Sequence, residues 1–167
     1  MAQNLRLNVL LRKNRNLPGW LRVEVDGSPR AEFRVLGRGS TTVSGKPTGN
    51  PTLNPFANAG NTPTGDYVSP EVVSTDGWSR DSYGAWGAVR LKPIGGDALV
   101  AERLGRKGLL IHGGAPGKFD GYRSTKGCLR LHNADMKKLI ELIGAAADDP
   151  RALQCTGVKI EVTVREL

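Results

Sequence analysis

A chain of 167 residues, 38% of them hydrophobic and 24% charged, is long enough for one core that buries about two-thirds of its unfolded surface. Its 22 glycines are nearly twice the usual share of roughly 7%, which favours a β-rich domain with many turns over a helical bundle, while apolar residues that recur in ordered patterns argue against disorder. The formal net charge of +8 calls for anionic surroundings such as nucleic acid, anionic lipid or a cell wall, but few aromatics and no basic block disfavour a dedicated nucleic-acid reader.

The N-terminal stretch MAQNLRLNVLLRKN interleaves its apolar residues with Arg6 and Asn8 and offers no small-residue cleavage site, so it does not read as a signal peptide. Leu5, Leu7, Val9 and Leu11 alternate instead with polar residues, the period of a half-buried strand. After NLPG, WLRVEV alternates again through Trp20, Arg22 and Glu24 up to the turn DGSP, and AEFRVL (31–36) completes a three-strand meander. From Gly37 to Gly65 only Val43, Leu53 and Phe56 are bulky and apolar. A loop that long inside a small domain is usually functional or flexible.

DYVSPEVV (66–73) and AWGAVRLKP (85–93) read as further strands, and GLLIH (108–112) as a short buried strand ending at His112. Over 134–147, Met136, Leu139, Ile140 and Ile143 recur at helical spacing behind Asn133, the expected N-cap. VKIEVTV (158–164) alternates as a last strand, and no apolar run is long enough for a membrane-spanning helix. The expectation is a single mainly β domain over 1–167, with one α-helix in its C-terminal half.

Two cysteines, Cys128 and Cys155, allow one disulfide at most. A mixed metal site of these two with His112 and His132 matches no zinc-binding spacing, so no metal is expected. Cys128 has the richer context. It follows Lys126 and Gly127, precedes Arg130 and lies shortly before the helix. A thiol attacks a carbonyl as its thiolate, which near neutral pH needs a base or positive potential beside it. His112, closing a strand and followed by Gly113 and Gly114, is placed to be that base. Glycine at 127 lets a carbonyl approach the backbone, where the amides of Gly127 and Cys128 form a candidate oxyanion hole. Taken alone, the cysteine reads as a small buried hydrophobe and the histidine as structural; their order and spacing make the pair informative.

IHGG (111–114), STKGCLRL (124–131) and the following HNADMKKLIELI, with NTPTGDYV (61–68) upstream, together resemble the catalytic domain of the L,D-transpeptidases, also called the YkuD domain. That family joins a histidine in an I-H-G stretch to a later S/T-H-G-C motif. The one departure is Lys126, where the family has a histidine. The resemblance implies a mainly β, sandwich- or barrel-like fold carrying one helix, with cysteine and histidine in a cleft.

The resemblance also implies acyl transfer on peptidoglycan stem peptides. Cys128 would attack the carbonyl of the third residue, an L-centre, and expel D-alanine, with His112 as base and then as acid for the leaving amine. An amine acceptor makes this an L,D-transpeptidase and water an L,D-carboxypeptidase, in either case without a cofactor. The backbone of Gly127 and Cys128 would hold the oxyanion and Arg130 a substrate carboxylate. Gly113 and Gly114 would leave room for the substrate backbone, and Tyr122 and Ser124 would line the cleft. Lys126, a cation close to the thiol, would favour the thiolate, so Cys128 should alkylate rapidly near neutral pH. His132 is expected at the surface beside the helix cap, and Cys155 inert.

The expected partners are stem peptides, joined by an immunity protein or a secretion-system component for a divergent antibacterial effector. A substrate outside the cytoplasmic membrane and an N-terminus without a signal lead to an expected action in the periplasm or wall, after delivery by a route such as type VI secretion. The alternative is a non-catalytic, basic wall-binding module of the same fold.

Overall fold

Alternation along the first predicted strands becomes sheet structure in the computed structural model, which describes residues 3–153 and 158–167. In chain order, β1 (Asn4–Leu11), β2 (Gly19–Val25) and β3 (Ser28–Val35) form the expected antiparallel meander. Asp26 and Gly27 turn β2 into β3 with φ of 49° and 81°, the left-handed pair that a two-residue hairpin requires. A small hairpin, β4 (Thr42–Val43) and β5 (Lys46–Pro47), follows. After it come β6 (Gly65–Ser69), β7 (Val72–Val73), the single-turn α1 (Arg80–Tyr83), β8 (Ala88–Arg90) and β9 (Lys92–Gly95). The chain closes with α2 (Gly96–Arg103), β10 (Leu110–His112), β11 (Leu129–Arg130), α3 (Asn133–Ala146) and β12 (Lys159–Glu166).

The protein is mainly β. One sheet runs β3-β2-β1-β12-β6-β9 and a second runs β11-β10-β8-β7. β12 pairs parallel to β1, with Leu7 opposite Val162, so the two chain ends share the centre of the first sheet. Its inward face carries Leu5, Leu7, Val9, Leu11, Leu21, Val23, Ile160, Val162 and Val164. Met136, Leu139 and Ile143, one stripe of α3, are fully buried in the same cluster. Each such side chain contributes about 1.5–3 kcal/mol by leaving water. Ile111 of β10 and Leu129 of β11 join this cluster too, which ties the second sheet to the first from beneath.

Local departures from the sequence expectation include a second helix and a different cap on α3. The C-terminal-half helix is present, but α2 is a second helix of eight residues. It opens on glycines and buries only Ala98 and Ala101, so it shows no bulky apolar stripe to read. The N-cap of α3 is His132, whose carbonyl accepts from Met136 N–H at 2.9 Å. Asn133 is already helical, and its Oδ1 accepts from Gly114 N–H at 2.9 Å; a tertiary contact has taken the side chain that the cap would have used. The 37–65 stretch is an irregular loop apart from its small hairpin, held largely by side chain–backbone bonds. Asn50 alone reaches Asn54 O, Asn58 O and Asn54 N.

Among the described residues, no helix is long and apolar enough to cross a membrane. Cys155 lies outside the described residues.

Candidate active site

Strand alternation sets the site. β10 and β11 run parallel, with Ile111 opposite Leu129 and His112 opposite Arg130. Successive side chains on a strand point to opposite faces. Ile111 and Leu129 therefore go down into the core, and Leu110, His112, Cys128 and Arg130 all line one cleft above it. The cleft has a volume of about 480 Å³. Ser124, Thr125 and Lys126 line it on the Cys128 side, Tyr83 on another, and the β4 residues Thr42 and Val43 belong to its wall.

His112 is 2% exposed, and its Nδ1 lies 2.7 Å from Gly113 O. A carbonyl only accepts, so Nδ1 carries the proton of the neutral ring and Nε2 keeps a free lone pair. Burial lowers the His112 pKa from 6.5 to about 4, opposed by the Gly113 hydrogen bond and reinforced by Arg130. The Tyr83 ring packs on the imidazole at 4.9 Å between centroids. At neutral pH the histidine is an uncharged base.

The Cys128 sulfur accepts from Leu110 N–H at 3.3 Å and lies 3.8 Å from Gly108 O. It packs with Ala88 and Leu110. Burial raises its pKa, against the lowering pull of the Leu110 N–H, then Arg106, then Arg130. The resting thiol is thus protonated and hydrogen-bonded to backbone, not held as a thiolate. Rapid alkylation near neutral pH does not follow, because burial outweighs the nearby cations. Lys126 is exposed; the cations that act on the thiol are Arg106 and Arg130.

The glycines serve the fold in ways the sequence does not reveal. Gly127 has φ of +113°, and a Cβ there would overlap the Arg106 guanidinium. The space is therefore filled by Arg106 rather than left for a substrate. Gly127 N–H donates to Thr125 Oγ1 at 2.9 Å, so in this state it is not free for an oxyanion. Gly113 makes room for the Asn133 amide, and Gly114, at φ +140°, for the Arg130 guanidinium.

Tyr122 does not line the cleft. It is buried and stacked on His132 at 4.0 Å between centroids, where His132 is partly exposed beside the helix start. Ser124 is at the cleft wall, its Oγ 2.9 Å from Ser40 Oγ.

Arg130 is 3% exposed and makes one side-chain hydrogen bond, from Nη1 to Gly113 O at 2.7 Å. Its Nε is buried with no hydrogen-bond partner among the described residues, and desolvation lowers its pKa to about 10. Among the described residues, the cleft lining holds Lys107, Arg123, Lys126 and Arg130 and no aspartate or glutamate. Such a surface fits a substrate bearing carboxylates. Sequence reasoning missed Arg106, Tyr83 and Thr125. Arg106 reaches the site from the turn after α2 and Tyr83 from the end of α1, where no motif marks them, whereas Thr125 stands inside the STKGC stretch without having been singled out.

Two results are expected from this geometry. A folded-state pKa below the unfolded value makes the His112 contribution to stability complete above pH 6.5 and lost as pH falls toward 4. Across that window the wild-type protein should lose about 3 kcal/mol more than His112→Asn, read as unfolding free energy by denaturant titration at each pH. Gly127→Ala should destabilise by about 1–3 kcal/mol from its backbone conformation alone, and further through the Arg106 overlap. Gly144→Ala, in α3 with open space around it, should by contrast raise stability by up to about 1 kcal/mol; equal melting temperatures for the two variants would contradict this.

Comparison with known proteins places these observations. The model of the YkuD family, the L,D-transpeptidase catalytic domain, matches residues 21–162. Bd1075 of Bdellovibrio bacteriovorus superposes with a TM-score of 0.53 at 17% identity, covering 96% of this chain and 47% of that one. An L,D-transpeptidase from Xylanimonas cellulosilytica superposes with a TM-score of 0.50 at 16% identity, covering 98% of this chain and 61% of that one. At these identities the likeness is one of fold, and the chain spans less than two-thirds of either neighbour's length. No curated protein matches the chain significantly.

Proposed function

Because this chain belongs to the YkuD family of L,D-transpeptidase catalytic domains, we propose that it transfers acyl groups of peptidoglycan stem peptides through a thioester on Cys128. The observation that carries this reading is the convergence of His112, at the end of β10, and Cys128, immediately before the paired β11, on one cation-lined cleft. Supporting it, the Gly113 carbonyl fixes the His112 tautomer so that Nε2 is the basic nitrogen.

The resting pair is neutral thiol and neutral imidazole, so proton transfer accompanies attack. Sγ forms a bond to the carbonyl carbon of the third stem residue as its proton passes to His112 Nε2. The oxygen becomes an oxyanion, and with Gly127 N–H engaged by Thr125, the Cys128 amide is the backbone donor assigned to it. Collapse breaks the C–N bond, and the imidazolium returns its proton to the departing D-alanine amine. An acceptor amine or a water, deprotonated by the same nitrogen, then resolves the thioester and restores the thiol.

Arg130 and the rim residues Lys126 and Arg123 hold stem-peptide carboxylates in this reading, supported, among the described residues, by the unpartnered Arg130 Nε and the absence of acidic residues from the cleft lining. Ser124 lies along the same wall. The site of action is the periplasm or cell wall, where that substrate is found.

Mass spectrometry of muropeptides after incubation with sacculi tests the proposal. Cysteine-dependent loss of terminal D-alanine is the expected result. New 3–3 crosslinks would identify transpeptidation, and free tripeptides carboxypeptidation. Retention on sacculi with no change in muropeptides would favour a non-catalytic wall-binding module.

A further inference from the structure

Arg106 follows α2 in a turn that its own N–H closes onto Ala101 O at 3.0 Å. Its side chain runs inward and the residue is 4% exposed. Nη1 donates to Pro55 O and to Asn61 O, the latter at 3.3 Å. Nη2 donates to Lys126 O at 3.2 Å and to Gly60 O at 3.5 Å. All four acceptors are neutral carbonyls, and among the described residues no carboxylate pairs with this guanidinium. A buried cation matched only by dipoles keeps much of its field, and in a low-dielectric setting that field acts on its neighbours. Among the described residues, the acids its charge acts on are the Tyr67 phenol and the Cys128 thiol. The same guanidinium fills the space beside Gly127.

We infer that Arg106 is the positioning residue of the reactive thiol: it staples the 55–61 loop to the Lys126–Gly127 turn that presents Cys128, and it supplies the positive potential that a thiolate there requires. This is the part that the sequence assigns to Lys126. The inference rests on the reading of Cys128 as nucleophile. Among the described residues, the other ionisable groups around the thiol are Arg130 of β11, Tyr67 of β6, Tyr83 of α1, which packs against the thiol's small cluster, and His112 of β10, which lines the same cleft. Lys107, Arg123 and Lys126 sit at the exposed rim of the cleft. Arg106 stands ahead of Arg130 among the charges that pull the thiol down against its burial. An exposed rim lysine is screened by water and salt in a way that a buried guanidinium is not.

The experiment is the pH profile of Cys128 alkylation by iodoacetamide in the 167-residue chain carrying Cys155→Ala, read as modified peptide by mass spectrometry. Arg106→Gln should raise the alkylation midpoint by about one pH unit or more, which is about tenfold slower modification at a fixed pH below the midpoint. Arg106→Lys keeps the charge but cannot bridge four carbonyls at once. It should hold the midpoint within a few tenths of a unit while stem-peptide turnover falls. Lys126→Met should leave the midpoint where it is.

A purely structural Arg106 would loosen the turn when replaced, and Arg106→Gln would then alkylate faster with an unmoved midpoint; that result overturns the inference. A rise of about one pH unit or more on Lys126→Met also overturns it, because the positive potential would then come from the rim lysine, and that readout stands even where Arg106→Gln does not fold. The readout concerns the thiol of the free protein, so it fails or stands separately from the proposed activity.

Discussion

Cys128→Ala is expected to abolish stem-peptide turnover while the protein stays folded. The sulfur receives one weak backbone hydrogen bond, from Leu110 N–H at 3.3 Å, and packs in the small cluster with Ala88 and Leu110 rather than in the main core. Losing it costs about 1 kcal/mol of packing. The chemistry loses its nucleophile entirely. The two effects separate cleanly: muropeptide release should fall below detection with a melting transition close to that of the wild type. Turnover at the wild-type rate would remove the thiol mechanism. Cys155→Ala is the control, and should keep its activity.

The second large effect is on the base. His112→Asn should slow acylation by about 10²–10⁴, the range for loss of a positioned general base. Asparagine is the informative replacement because its amide N–H can keep the bond to Gly113 O while offering no basic nitrogen at the Nε2 position. A structural role for His112 would leave this variant active, and rapid-quench acylation kinetics distinguish the outcomes. In the wild type, a base whose pKa is lowered to about 4 by burial stays competent through the mildly acidic range. Acylation should therefore hold as pH falls through 6 and decline only toward 4.

Where sequence and structure agree, the periodic signals are strong. The alternation of Leu5, Leu7, Val9 and Leu11, and of Ile160, Val162 and Val164, places these residues in the core as expected. The stripe Met136, Leu139 and Ile143 likewise makes α3 legible. The join between His112 and Cys128 is legible as a motif, and its physical basis is the parallel register of two very short strands, which no local pattern specifies.

What sequence misreads depends on side chains arriving from elsewhere. Gly113, Gly114 and Gly127 look like clearances for substrate, yet the space belongs to Asn133, Arg130 and Arg106. Lys126 looks like the activating cation because it is near in sequence, whereas Arg106 is near in space. Tyr122 looks like cleft lining and is instead half of a buried stack with His132. Asn133 looks like a cap and is drawn off by Gly114. In each case the deciding partner lies on another element.

The most direct test of the central claim is acid-quenched mass spectrometry of the protein mixed with a tetrapeptide stem donor. The account predicts a covalent adduct equal to the donor acyl group less its terminal D-alanine, carried as a thioester on the peptide containing Cys128. The adduct should be lost in Cys128→Ala and slow to form in His112→Asn. An adduct on any other residue, or D-alanine release that persists in Cys128→Ala, would contradict it.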